Sequence, residues 1–202
     1  MSVSKLLRLA QAIADKANED LHKQWIALSF KFAIVAGPAH TPTIQRIGRL
    51  DLVLRQMEAD MLDQLRLPDD QQDIFAFDRL SDQSEVWIIR AYEVIRAATQ
   101  QLRVNQKESA SIAALKKSLA LVRMPIAKGE IQGRLNGDPL ILSHRDGTDP
   151  KPYAADGTYI MPQGICTATG SISWSAVDLS GRRNVMIRRQ ALADEMLNLA
   201  IE

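Results

Sequence analysis

Apolar side chains recur at steps of three and four along the N-terminal part of the chain and at steps of two near its C-terminus. That change of period separates a helical region from a sheet-forming one. From Ser4 to Ala36 there is neither Gly nor Pro, and Leu6, Leu9, Ile13, Ala17, Leu21, Trp25, Leu28, Phe32 and Val35 form one helical stripe. The stripe thins at Asn18–Asp20, where a break is expected, and Gly37-Pro38 ends it. Thr41-Pro42 reads as an N-cap hydroxyl followed by Pro at the first helical position, opening a helix with the stripe Ile47, Leu50, Leu54, Met57, Met61 and Leu65. Pro68-Asp69-Asp70 stops it, and Gln71–Leu80 reads equally as a helical turn or a short strand.

Asp82–Arg103 carries the strongest pattern. Trp87, Ile88, Ala91, Tyr92, Val94, Ile95, Ala98 and Leu102 share one broad arc, opposite Glu85, Arg90, Glu93 and Arg96. Asp82 followed by Glu85 looks like a capping box, so the helix is expected to start there and to be the scaffold of the fold. Val86 and Ile89 interrupt its charged side and are candidate interface residues. Asn105–Arg123 predicts another helix, through Ile112, Leu115, Leu119 and Val122, closed by Pro125.

Glycines then punctuate the chain. Asn136-Gly137 signals a turn, Pro139–His144 a short strand and Arg145–Tyr159 a polar loop. In Ser171–Arg189, Ile172, Trp174 and Ala176 alternate with serines. With Leu179–Arg182 as a four-residue loop, a hairpin sets Asp178 opposite Arg183, Ala176 opposite Val185, Trp174 opposite Ile187 and Ile172 opposite Arg189. An ion pair near the turn and a cation–π contact between Arg189 and Trp174 are expected from that register. Gln190–Glu202 closes the chain as a helix. The expected fold class is α+β: an N-terminal antiparallel helical bundle of about four segments, then a small antiparallel β-sheet and a C-terminal helix. Residues 1–124 form the helical lobe and 125–202 the appended part, the two packed as one domain.

Composition adds little push toward a partner. The 202 residues include 25 Lys and Arg against 24 Asp and Glu, a formal charge of +1. Neither lobe is strongly basic, which argues against nucleic acid or anionic membrane as a dominant partner. The run Trp25–Ala36 is too short to span a bilayer and contains Lys31, and the N-terminus lacks the apolar core of a signal peptide. A single cysteine, Cys166, leaves no disulfide framework and no multi-cysteine zinc site. A cytoplasmic protein without cofactor or metal is expected.

Candidate chemistry is sparse. His22, His40 and His144 lack metal-ligand spacing. Ser143-His144-Arg145-Asp146 is too contiguous to form a triad, and Asp146, Asp149 and Asp156 lack the ligand order of a calcium loop. Cys166 with His144 remains a conceivable nucleophile and base. No dinucleotide, Walker or metalloprotease signature occurs. The stretch Arg123-Met124-Pro125-Ile126-Ala127-Lys128-Gly129-Glu130 resembles the place where HEPN helical-bundle ribonucleases carry an Arg and, after four to six residues, a His. Lys128, Gly129 and Glu130 stand where that His would be, so the resemblance supplies no acid–base group and covers only these residues. Arg123, Lys128 and Glu130 are left as a polar, anion-binding corner. Arg182, Arg183, Arg188 and Arg189 form a basic cluster near Trp174, but the hairpin register divides them between the turn and both faces. The reading that follows is a non-catalytic interaction or structural protein, a homo-oligomer or partner-binder acting through helical faces. The alternatives are nucleic-acid association through Arg182 and Arg188 of the hairpin, and an enzyme centred on His144, Asp146 and Cys166.

Overall fold

A computed structural model describes residues 2–133, 139–142 and 151–200. The long N-terminal stripe is two helices, α1 (Val3–Ala17) and α2 (Glu19–Ala36), broken at Asn18, whose backbone leaves the helical region at φ −130° and ψ 42°. The break falls where the apolar stripe thins. Gly37, at φ +92°, turns the chain through a 3-10 turn into α3 (Thr41–Gln64). The expected Thr41 cap is not made: His40 precedes the helix, and the Thr41 hydroxyl donates instead to the Ser29 carbonyl of α2 at 3.5 Å.

The scaffold helix, α4 (Ala76–Val104), starts six residues earlier than the capping-box reading placed it. Asp82 sits inside it and is exposed. The start is set by Asp73, whose carboxylate accepts from the Phe75 N–H at 3.0 Å while its carbonyl accepts from the Ala76 N–H at 2.9 Å. The expected apolar arc is the core: Trp87, Ile88, Ala91, Val94, Ile95 and Ala98 are buried, with Tyr92 and Leu102 half-buried. Helix α4 packs against α2, α3 and α5 (Ala110–Lys128).

In α5, Ser109 caps the start by accepting from the Ile112 N–H. Pro125 does not close this helix, contrary to the sequence reading. It is buried within the last turns, and its carbonyl still accepts from the Gly129 N–H at 2.8 Å. Burial of Val122 and Pro125 outweighs the lost N–H and the steric bias on Met124. Gly129, at φ +62°, terminates the helix in the left-handed region.

The sheet-forming part holds two units. β1 (Ile141–Leu142) and β2 (Lys151–Pro152) pair antiparallel; the rest of the segment 143–150 lies outside the described residues. β3 (Gln163–Ile165), unforeseen in the sequence, flanks the hairpin of β4 (Ile172–Asp178) and β5 (Arg183–Arg188) in the order β3-β4-β5. The hairpin register is the expected one, with Trp174 opposite Ile187 and Asp178 opposite Arg183. It stops at Arg188, because Arg189 begins α6 (Arg189–Leu197). Buried Ile172, Trp174, Ala176 and Ile187 join the same core as the helices. The chain is α+β, with six α-helices among the described residues.

Candidate functional site

Three places in the fold gather enough chemistry to be weighed as a site. The first is a buried charge network that the sequence analysis did not identify. Arg189 is fully buried; its guanidinium meets Asp51 through Nη1 and grips Glu58 through Nε at 2.9 Å and Nη2 at 2.6 Å. Asp51 also accepts from Trp25 Nε1 at 2.9 Å and from Arg55 Nε at 3.1 Å, and Arg55 continues to Asp194 of α6. The cation lies 5.8 Å from the Trp87 ring, so its aromatic partner is Trp87 of α4 and not Trp174. Burial pushes the Arg189 guanidinium down, but the Asp51 and Glu58 carboxylates together outweigh it and raise its pKa. Asp51 and Arg189 have no exposed side-chain surface, and their partners are other members of the network. It clamps α3 to the start of α6; it does not address a ligand.

The sequence did carry one sign of it. In α3 the buried positions run Ile44, Ile47, Asp51, Leu54, Glu58 and Met61, so two carboxylates occupy places of the inward stripe. Charges there demand a buried cation.

The basic hairpin is dispersed. Arg189 is buried, Arg183 and Arg188 are exposed on β5, and Arg182 stands in the turn at φ +47°. Asp178 faces Arg183 in register, yet its ion pair is with Lys117 of α5, at 3.0 Å. Ser180 and Gly181 in the turn also donate to it. The Ser180 hydroxyl first, then Lys117, hold the Asp178 carboxyl down at about 2. Arg188 Nη1 lies 3.9 Å from Cys166 Sγ. The Thr169 side chain, with help from the backbone and Arg188, lowers the half-buried thiol to about 7. His144 and Asp146 lie outside the described residues, while His40 ends the turn between α2 and α3.

Arg123 is committed to α4: its guanidinium lies 5.2 Å from the Tyr92 ring centre, and Nη2 is 3.7 Å from Glu93. Lys128 is exposed in the last turn of α5 and Glu130 is half-buried just beyond it. No hydrogen bond or ion pair joins the three among the described residues. Among the described residues no group of His, Cys, Asp and Glu could hold a metal ion.

The third place is apolar. Helix α1 is the most amphipathic of the chain, yet it packs on α3 by the edge of its arc. Ala14 is buried there, and Gln11 reaches the Arg49 carbonyl and Asp15. The centre of the arc faces out: Leu6, Leu9 and Ile13 are 47–51% exposed, Leu7 and Val3 more so. Helix α2 is apolar on both sides, burying Trp25, Leu28 and Phe32 while Ile26, Phe30 and Ile34 form an outward stripe at four-residue steps. On α4, Ile89 is 37% exposed and Val86 half-buried, a smaller apolar break. No helix among the described residues is long and apolar enough to cross a membrane. No protein family, curated protein or solved structure matches the chain.

Proposed function

We propose that this is a non-catalytic interaction protein that works as a homodimer, with the outward face of α1 and α2 buried against the same face of a second copy. The observation that carries the reading is α1 itself, which meets α3 by the edge of its apolar arc, at Ala14 and Gln11, and turns the centre of that arc toward water. A helix docked for its own chain's sake would do the reverse. The outward stripe of α2 adds further exposed apolar side chains. Half a dozen or more large side chains, on the order of 100 Å² each, approach the roughly 800 Å² per partner of a standard interface. A two-fold dimer uses the same patch on both copies, so no second protein is required to cover it. The smaller patch at Val86 and Ile89 is a secondary contact in this reading.

The nucleic-acid alternative has less support, because Arg189 is internal and Asp178 with Lys117 neutralises one end of the hairpin. Sedimentation velocity or light scattering at high micromolar concentration tests the dimer. The wild type should be dimeric and a Leu9→Glu/Phe30→Glu variant monomeric, with unchanged circular dichroism. A monomeric wild type overturns the reading, as does a monomer that binds anionic lipid vesicles through α1, whose polar side carries Lys5, Arg8 and Lys16.

A further inference from the structure

A groove of about 500 Å³ opens between α4, α5 and the β4–β5 turn, within the roughly 300–1,000 Å³ of small-molecule sites. Its charged groups are Arg103 of α4, Lys116 and Lys117 of α5 and Asp178 of β4, three cations against one carboxylate in a chain of formal charge +1. The carboxylate is already saturated. It accepts from Lys117 Nζ at 3.0 Å, from the Ser180 hydroxyl at 2.5 Å and from the Ser180 and Gly181 N–H groups. Lys117 is committed in turn, to Asp178 and to the Ser180 hydroxyl at 3.2 Å.

Arg103 and Lys116 make no ion pair or hydrogen bond with any side chain among the described residues. Lys116 is nevertheless half-buried, and the wall beside it is formed by buried Ala120 and Leu121. Gln132 and Tyr92 also line the groove, and neither side chain makes a hydrogen bond among the described residues. The uncommitted groups are therefore two cations and two neutral groups able to donate, in a concave setting with an apolar wall. A multivalent anion with several terminal oxygens uses such a set fully. A phosphate carries about −1.5 to −2 charges and three such oxygens, and the Arg fork matches it in two parallel bonds.

We propose that this groove binds a small phosphate-bearing molecule of about mononucleotide size. Its phosphate oxygens sit on Arg103 and Lys116, and its apolar part lies against Ala120 and Leu121. The site is independent of the α1–α2 face and stands or falls apart from dimerisation.

Titration of the full, isotope-labelled chain with adenosine triphosphate, followed by NMR at low salt, tests it. The expected result is saturable shifts at the amides of Arg103, Lys116 and Gln132, reversed by inorganic pyrophosphate and absent with adenosine. Arg103→Gln and Lys116→Gln should each weaken binding roughly tenfold, the loss of one charge-assisted contact. Neither should lower the melting temperature, since neither cation has a partner to lose among the described residues. Absence of saturable binding overturns the proposal, as does affinity unchanged in both variants. Binding of a single-stranded oligonucleotide without binding of the mononucleotide also overturns it, because it moves the phosphate contact to an extended surface. A large fall in melting temperature in either variant would assign these cations to folding and sink the idea equally.

Discussion

Arg189 shows how much one side chain's neighbours decide. In sequence it belongs to a run of arginines beside Trp174; in the fold it is an interior cation held by carboxylates 138 and 131 positions away. Removing it would leave Glu58 buried without its counter-ion and Asp51 with Arg55 alone. Arg189→Met should lower unfolding free energy by about 3–5 kcal/mol, the usual effect of breaking one side of a buried pair, read by urea denaturation. A loss below ~1 kcal/mol would mean that water or Arg55 compensates. Cys166 makes a second prediction at this scale. With its thiol lowered to about 7 from an ordinary value of 9, the alkylation rate by iodoacetamide should reach half its plateau near pH 7. Thr169→Val should move that midpoint upward, since the Thr169 side chain is the largest cause of the shift. A midpoint near the ordinary value in the wild type would contradict the geometry.

At the scale of elements, two close approaches between a loop and a helix leave no room for a Cβ. Gly170 lies in the β3–β4 connection at φ +71°, and a Cβ there would overlap the Glu58 carbonyl of α3. Gly129 is similar: it ends α5 at φ +62°, and its Cβ would overlap the Gly157 carbonyl. Both lie in a backbone region that costs other residues about 1–2 kcal/mol even without a clash. Gly170→Ala should therefore destabilise by about 2 kcal/mol or more, and by more than Ala at Gly157, whose added Cβ meets nothing closer than 3.5 Å. Thermal unfolding of the two variants makes the comparison, and equal melting temperatures would refute the close approach. The sequence showed these glycines as loop punctuation. It held no information on which of them another chain segment touches.

Across the whole molecule, Asp178 couples the sheet to α5 and gives stability a pH dependence. Its folded pKa, about 2, lies below the ordinary 3.8, so its contribution is present above the ordinary value and is lost as pH falls through about 2. Melting temperature should fall between about pH 4 and pH 2, and Asp178→Asn should flatten that part of the profile. An unchanged profile in the variant would show that other carboxylates carry the acid sensitivity. The proposed self-association through α1 and α2 belongs to this scale too, because no single residue of that face creates it. The face is a consequence of how the two helices are rotated against α3 and α4.

Periodicity was enough to read the helices, the scaffold role of α4 and the register of the β4–β5 hairpin. These depend on local spacing: apolar residues three and four apart make one helix face, and alternation by two fixes which side of a strand is buried. What periodicity does not contain is rotation and distance. It gave α1 an apolar arc, but only docking on α3 decided that the centre of that arc faces outward. It gave Pro125 as a stop, but burial against the core kept it inside α5. It says nothing of what Asp51 and Glu58 do in the inward stripe of α3, nor of what Arg103 and Lys116, on two different helices, have in common. Only the packing of α3 against α6 made the first pair a buried clamp. Only the packing of α4 and α5 against the β4–β5 turn set the second pair on one groove, because contacts between residues far apart in sequence have no period to reveal them.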